Sequence, residues 1–144
     1  MVKRKGIDAR YSHVLTEVRP GSREAVFQVT EGETSREEVI QYDLLHVTPP
    51  MAAPDVVAQS ALANGAGFVE VDKFSLQHVR YPNVFSLGDV SGMPNSKTAA
   101  AVRGQAPVLT ANLLAFLDGA GLDAAYDGYS CCPLITGYGK TIMA

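Results

Sequence analysis

Two consecutive prolines constrain this chain more than any other feature of its sequence. Pro49 and Pro50 follow Thr48, and each lacks the backbone N–H that an interior strand or helix would use. Any regular element that precedes them must therefore end, and the chain must turn outward at this point. We place a boundary here, which divides the sequence into residues 1–50 and 51–144.

The sequence before the boundary has the alternating pattern of β-strands. Residues 13–19 and 24–30 alternate apolar with polar side chains, and Pro20-Gly21-Ser22 between them favours a tight turn. Together they predict a β-hairpin. Residues 32–37 are polar and are predicted as a loop, whereas the nearly continuous apolar run of residues 39–47 predicts a third strand inside a sheet.

Short segments with different patterns follow the boundary. Pro54-Asp55 is predicted to open a short helix over residues 56–62, and residues 67–80 are predicted to form a short extended piece with a polar tail. Residues 84–87 are apolar and predict a buried strand that ends at a Gly-Asp pair. The central part of the chain is therefore expected to contain short strands.

One long helix is predicted in the last third of the chain. Ser96 is placed to cap an Ala- and Leu-rich helix over residues 97–117, which Pro107 is expected to kink or interrupt near Arg103. The residues from Tyr126 onward are rich in glycine and predict a loop with short strands. The fold class indicated is α/β, with an α+β arrangement in this chain.

Composition and charge exclude several classes of function. The 144 residues carry a formal net charge of −3, and no basic cluster follows Lys3-Arg4-Lys5, so nucleic acid is not an expected partner. No apolar stretch reaches the roughly 18–20 residues that span a bilayer, and no signal peptide is recognisable. We therefore expect a cytoplasmic chain or one that lies peripherally on a membrane. No metal site is expected, because the histidines have no ligand-like spacing and the two cysteines, Cys131 and Cys132, are adjacent.

The order strand, acid, loop and helix around Asp89 is the most informative chemical pattern. Gly88 allows a close backbone approach, a carboxylate after a strand can accept hydrogen bonds from sugar hydroxyls, and a helix N-terminus attracts an anion. The pattern suits a ligand that joins a polyol to an anion. A surface aspartate that caps the following helix explains the same spacing equally well.

Three segments resemble the sulfide:quinone oxidoreductase family, flavoproteins of the pyridine nucleotide-disulfide oxidoreductase superfamily. They are Tyr81-Pro-Asn-Val-Phe-Ser-Leu-Gly-Asp89, Ser96-Lys-Thr-Ala-Ala-Ala-Val-Arg103 and Tyr126-Asp-Gly-Tyr-Ser-Cys-Cys-Pro-Leu134. The resemblance implies a partial two-dinucleotide-binding-domain flavoprotein fold, with a β-hairpin, central strands and one long helix after the Gly-Asp motif. Residues 1–50 would be the C-terminal part of the second, NAD-like dinucleotide domain. Residues 51–144 would be the returning part of the FAD-binding domain and the start of the C-terminal region.

The resemblance also implies roles for individual residues. Asp89 would bind the ribityl chain of FAD, and Gly88 would permit its approach. Lys97, with the N–H groups of Thr98 and Ala99, would face the flavin pyrimidine edge. Reduction places negative charge on that edge, so a cation and a helix N-terminus there would stabilise the reduced flavin. Without the resemblance, Lys97 would be interpreted as a solvated lysine.

Cys132 aligns with a redox cysteine of the family. That cysteine is thought to carry sulfur during sulfide oxidation, while electrons pass through FAD to a quinone, and the chemistry needs a thiolate. Cys131 stands where the family more commonly has serine or threonine. This difference leaves open a strained vicinal disulfide or a different division of roles between the two cysteines.

Two parts of such an enzyme are missing from the sequence. No G-x-G-x-x-G turn for the FAD pyrophosphate occurs, and the second redox cysteine is absent. We therefore expect a C-terminal fragment of a flavoprotein that does not retain FAD by itself and is inactive alone. Sulfide, quinone and a membrane surface would be partners of the longer protein. A type II NADH dehydrogenase, a flavocytochrome sulfide dehydrogenase and an inactive fragment that forms a homodimer are the alternatives.

Overall fold

The computed structural model describes residues 2–144 and shows an α+β fold with two antiparallel sheets and one long helix. The chain divides into two compact units, one that ends at Pro49 and one that spans Pro50–Ala144. Within residues 2–144, no helix combines the length and apolar character needed to cross a membrane. The regular elements are β1 (His13–Arg19), β2 (Glu24–Glu31), β3 (Thr34–Gln41), α1 (Asp55–Ala58), α2 (Ala99–Leu117), β4 (Pro133–Gly137) and β5 (Lys140–Met143).

The first unit is a three-stranded antiparallel sheet with β2 at its centre. β1 and β2 pair from His13 opposite Val29 to Arg19 opposite Glu24, which confirms the predicted hairpin. Its buried side chains lie on the central strand, where Val26 and Val29 are each 1% exposed. A central strand is covered by neighbours on both edges, so it supplies the apolar contacts of this unit.

The predicted third strand was wrong in both position and environment. β3 begins at Thr34, inside the segment predicted as a loop, and ends at Gln41. Gly32 has a φ of 62° and forms the tight turn that sets Glu31 opposite Thr34. The polar residues therefore pair directly with β2, and β3 is an exposed edge strand. Charged residues are common on such edges, because they discourage pairing with other chains.

The short elements before α2 are less regular than predicted. α1 ends at Ala58, because the Ser60 hydroxyl donates to the Val57 carbonyl and accepts from Leu62 N–H, in competition with helical bonding. Residues 84–87 do not form a strand. They make one isolated bridge, between Phe85 and Gln77.

α2 begins two residues later than predicted. Thr98 is its N-cap, with the side-chain oxygen accepting from Ala101 N–H at 3.1 Å, so the prediction of Ser96 as the cap was wrong. The helix continues without a break through Pro107 as far as Leu117. Pro107 has no N–H for the Arg103 carbonyl, but it does not interrupt the helix. The tail forms the predicted short strands, β4 and β5, as a hairpin.

Two buried amide side chains of α2 attach the surrounding loops to the helix. Asn112, 1% exposed, donates to the carbonyls of Ser75 and Ala124 and accepts from Ala124 N–H. Gln105, 2% exposed, accepts from Gly88 N–H. Bonds to buried backbone groups are costly to lose, so α2 organises the second unit through polar contacts as well as apolar ones.

Candidate functional site

The Gly88-Asp89 pair lies in a tight turn fixed against α2. Residues Gly88–Val90 form one turn of 3-10 helix, and Gly88 has a φ of 72°, a conformation that favours glycine. Its N–H donates to Gln105 Oε1 at 2.9 Å, and a Cβ at this position would lie 3.4 Å from Val102 Cγ2. The turn is thus held close to the helix, while the Asp89 side chain remains exposed.

Lys97 lies just before α2 and is partly buried. Its ammonium donates to the Ser91 carbonyl and stands 4.3 Å from the centroid of the Phe68 ring. Burial lowers the pKa of Lys97, and the nearby Asp89 carboxylate opposes this effect. The site therefore combines a carboxylate and an ammonium at the start of one helix. The ammonium has three N–H groups, so these contacts leave it donor capacity.

The first turn of α2 presents backbone donors beside these charges. Thr98 caps the helix through its side chain, and its carbonyl accepts from Val102 N–H at 3.1 Å. Ala99 is exposed and Ala100 is half-buried. The first N–H groups of a helix have no partner within it and carry partial positive charge. The N-terminus of α2 can therefore receive negative charge next to Lys97.

The two cysteines lie in different environments. Both are free thiols, so the vicinal disulfide left open by the sequence is not present. Cys132 is exposed, and it exchanges backbone hydrogen bonds of 2.8 and 3.1 Å with Ala144, next to the paired strands β4 and β5. Cys131 is half-buried. The two thiols therefore differ in their exposure to solvent.

Cys131 lines an open cavity of about 680 Å³ at the start of α2. The other lining residues come from the first turns of α2 and from the C-terminal segment: Ala99, Ala100, Arg103, Gly104, Tyr129 and Met143. The lining is mostly apolar, with one guanidinium and one thiol. The structure therefore brings Cys131 close to Ala99, a residue of the predicted cofactor site.

Two buried residues that support this site escaped the sequence analysis. Gln105 holds the Gly88 turn, and the Tyr126 hydroxyl donates to the Tyr129 carbonyl and accepts from Asn95 Nδ2. The signal for Gln105 was present in the sequence. Gln105 and Asn112 lie seven residues apart on the face of a largely apolar helix that carries Ala101, where polar residues need partners. Tyr126 gave no comparable signal, because its partners lie in two loops.

The described part of the chain, residues 2–144, contains no group of three or more His, Cys, Asp or Glu side chains arranged to hold a metal ion. The candidate site consists of the groups described above: the Gly88-Asp89 turn, Lys97, the N-terminus of α2 and the two thiols. This set of groups is suited to a ligand that carries hydroxyls and develops negative charge.

Comparisons with known proteins give close relatives over the full length of the chain. The chain is 47% identical over 146 aligned residues to the mitochondrial sulfide:quinone oxidoreductase of Mus musculus. It is 48% identical to the enzyme of that name from Dictyostelium discoideum and 44% identical to the one from Schizosaccharomyces pombe. These matches cover 97–100% of this chain but only 30–32% of each relative. The chain thus spans about a third of the length of these proteins. No protein-family model matches the chain.

A solved structure has a similar fold. A chain in the cryo-EM structure of the Tetrahymena thermophila mitochondrial ATP synthase, the F1Fo composite tetramer, matches with a TM-score of 0.86 and 34% identity. The match covers 99% of this chain and 34% of the Tetrahymena chain. The architecture described above is therefore also found in a protein resolved within a large mitochondrial assembly.

Proposed function

We propose, because this chain belongs to the sulfide:quinone oxidoreductase family, that it is part of an FAD-dependent enzyme that oxidises sulfide and passes the electrons to quinone. One observation carries the proposal: identity of 44–48% to three such proteins along practically the whole chain. The name of each relative places it in mitochondria, and we extend that location to this chain. Association with a membrane surface would bring such an enzyme to its quinone.

The two units correspond, in this proposal, to parts of two dinucleotide-binding domains. The three-stranded sheet of the first unit would be the C-terminal part of the NAD-like domain. The second unit, Pro50–Ala144, would be the returning part of the FAD-binding domain, with α2 as its long helix after the Gly-Asp motif. The boundary at Pro49 and Pro50 would then be the point at which the chain passes from one domain to the other.

The residues at the start of α2 fit the flavin part of FAD. Gly88 has no side chain that would obstruct a ligand, and the exposed Asp89 carboxylate can accept hydrogen bonds from ribityl hydroxyls. Lys97 and the N–H groups near Thr98 and Ala99 supply positive charge for the pyrimidine edge. FAD, when bound, supplies a two-electron acceptor that can be reoxidised by quinone. A glycine fingerprint for its pyrophosphate is absent from this sequence.

Cys132 is our candidate for the catalytic thiol. Its exposure makes it accessible to a small sulfur compound, and the thiolate is the form in which a cysteine acts as a nucleophile. Cys131 lies beside Arg103 in the cavity and is a second thiol that a substrate could meet. Substitution of each cysteine separately distinguishes their roles.

The decisive experiment measures quinone reduction driven by sulfide in the protein that carries this sequence. Wild type is compared with Cys132→Ser, with Cys131→Ser as the matched control and NADH as an alternative electron donor. We expect activity with sulfide that is lost in Cys132→Ser and kept in Cys131→Ser. Turnover with NADH and none with sulfide would assign the protein to the type II NADH dehydrogenases instead. Cys132 would then have no catalytic role.

Lys97 offers a separate test of the cofactor assignment. An ammonium near the flavin favours the reduced form, so Lys97→Ala should make a flavin bound to the protein harder to reduce. The reduction potential of the bound flavin, measured for both proteins, should be lower in the variant. Lys140→Ala is the control, because Lys140 lies on the exposed strand β5. An unchanged potential in Lys97→Ala would contradict the role of Lys97.

A second candidate function, a structural module within a larger assembly, is favoured by the similarity to a chain of the Tetrahymena ATP synthase structure. In this case the chain would self-associate or bind partners without binding FAD. Flavin absorbance of the purified protein that carries this sequence, rather than of the isolated 144-residue chain, distinguishes the two functions. Bound flavin supports the enzyme, whereas its absence together with a stable complex of defined mass supports the module.

A further inference from the structure

The Tyr126 hydroxyl joins the two halves of the proposed site. The ring is 2% exposed, and its hydroxyl accepts a hydrogen bond from Asn95 Nδ2 at 3.1 Å and donates to the Tyr129 carbonyl. Asn95 lies two residues before Lys97, and Tyr129 lies two residues before Cys131. One buried hydroxyl is thus bonded to the loop that leads to the lysine and to the segment that carries both thiols.

Packing fixes the position of this hydroxyl. The Tyr126 ring lies in a core cluster with Leu76 and Met93. Its backbone N–H donates to the Phe74 carbonyl at 2.9 Å. On the helix side, Gly104 allows α2 to approach so closely that a Cβ there would be 3.1 Å from Tyr126 Cε2. The ring therefore cannot move without disturbing the core or the helix.

The side chain of Asn95 makes few hydrogen bonds, and the Tyr126 hydroxyl accepts one of them. Asn95 Nδ2 donates to Tyr126 and, at 3.3 Å, to the Ser96 carbonyl, whereas its buried Oδ1 has no partner within residues 2–144. Because Asn95 donates to the hydroxyl oxygen, the Tyr126 O–H is left to point at the Tyr129 carbonyl. Burial raises the pKa of Tyr126 above its ordinary value of 10.0, and a tyrosine hydroxyl is protonated at neutral pH even without that shift.

We propose that Tyr126 is a positioning residue. It holds the segment that carries Cys131 and Cys132 in a fixed position relative to the loop that leads to Lys97. The inference deepens the proposed function and rests on it for its catalytic meaning. The hydroxyl of Tyr126 is hydrogen-bonded to Asn95 and to Tyr129 rather than to a cysteine. It acts through the Tyr129 carbonyl, which fixes the chain immediately before the thiols.

The experiment measures how fast iodoacetamide labels each thiol of the 144-residue chain. Single-thiol backgrounds, Cys132→Ser and Cys131→Ser, report Cys131 and Cys132 respectively. Tyr126→Phe removes only the hydroxyl. The matched control is Tyr138→Phe, which removes a fully exposed hydroxyl from the β4–β5 hairpin. A third variant, His78→Ala, lowers stability at a buried site whose hydrogen bonds are made to other loops. Urea denaturation gives the free energy of unfolding of each protein.

We expect Tyr126→Phe to raise the labelling rate of half-buried Cys131 by about fivefold, the factor that corresponds to one hydrogen bond of about 1 kcal/mol. The rate of exposed Cys132 should change little, and Tyr138→Phe should label like wild type. Asn95→Ala keeps the ring and should raise the Cys131 rate in the same direction, because the hydroxyl loses the donor that orients it. It is the second test if Tyr126→Phe does not fold.

Two results would overturn the inference. One is an unchanged Cys131 rate in Tyr126→Phe. The other is an equal rise in His78→Ala, which would show that labelling follows global stability. Labelling needs no sulfide, quinone or flavin, so its outcome is independent of the assay for sulfide oxidation. A protein that fails to oxidise sulfide but shows the Cys131 effect would contradict the proposed function alone.

Discussion

Gly104 lies where α2 approaches the Tyr126 ring closely. A Cβ there would lie 3.1 Å from Cε2 and 3.8 Å from Cδ2 of the ring, closer than packed carbon atoms normally come. Alanine would favour the helix by about 1 kcal/mol, but overpacking of a buried ring costs about 1–3 kcal/mol. Because the ring cannot withdraw, we expect Gly104→Ala to lower the free energy of unfolding by about 1 kcal/mol in urea denaturation.

Gly65→Ala is the matched control for this substitution. No heavy atom lies within 4 Å of a Cβ built on Gly65, and its φ is not positive. Its free energy of unfolding should therefore stay close to that of wild type. A Gly104→Ala protein more stable than wild type would show that the Tyr126 ring is free to move, and would count against the rigid support inferred for its hydroxyl.

Asp72 organises a turn in a way that depends on pH. Its carboxylate accepts from Phe74 N–H at 3.0 Å, from Ser75 N–H at 2.8 Å and from the Ser75 hydroxyl at 3.0 Å. These bonds, the one from Ser75 N–H first, lower the pKa of Asp72 below its ordinary value of 3.8. A lowered pKa stabilises the folded protein above pH 3.8, and this contribution is lost as the pH falls through the folded-state value.

Asp72→Ala should therefore lower the free energy of unfolding at neutral pH. The side chain is exposed, so solvent weakens its charge interactions, and we expect a loss of about 1 kcal/mol, as for a helix cap. The difference from wild type should shrink as the pH falls below 3.8 in a series of urea denaturations. Asp55→Ala, a residue in the first turn of α1, serves as the comparison. A difference that persists at low pH would assign the effect to packing.

At the scale of elements, Pro107 is the least favourable residue of α2. It lies in the interior of the helix, where it denies the Arg103 carbonyl a hydrogen bond, and it is exposed, so its removal sacrifices little packing. An interior proline costs about 3 kcal/mol relative to alanine. We expect Pro107→Ala to raise the free energy of unfolding by about 1–3 kcal/mol, measured by urea denaturation.

Ala111→Gly, at an exposed position of the same helix, tests whether the assay detects helix propensity. It should lower the free energy of unfolding by about 1 kcal/mol. If Pro107→Ala gives no gain while Ala111→Gly gives the expected loss, the Arg103 carbonyl must be satisfied in another way.

The elements that sequence reasoning predicted correctly are those whose signals are local. The β1–β2 hairpin follows from two alternating segments around Pro20-Gly21-Ser22, and α2 follows from a long helical pattern. β3 was misplaced because its polar residues pair through the turn at Gly32, and an edge strand needs no apolar run. The prediction of a strand over residues 84–87 was wrong, because an apolar pattern does not supply the neighbouring strand that a strand must pair with.

At the scale of the whole chain, the candidate site depends on contacts between distant segments. The Gly88-Asp89 turn, Lys97 and the start of α2 are close in sequence, so their proximity was predictable. The link from Asn95 through Tyr126 to Tyr129 joins residues up to 34 positions apart. The backbone of Cys132 pairs with that of Ala144, which follows the second strand of the β4–β5 hairpin. Neither pairing has a local pattern that sequence reasoning could use.

The β4–β5 hairpin leads us to expect that the isolated chain self-associates. Its two strands leave open edges, and Ile135 is 83% exposed and Tyr138 fully exposed, with Lys140 as its one charged side chain. A two-stranded hairpin is marginally stable in water, and open apolar edges pair readily with other strands. Light scattering should show a mass above 15.3 kDa that rises with concentration. Ile135→Lys should lower this mass, whereas Val56→Lys, at an exposed site outside the hairpin, should leave it unchanged. A monomer at all concentrations would contradict this expectation.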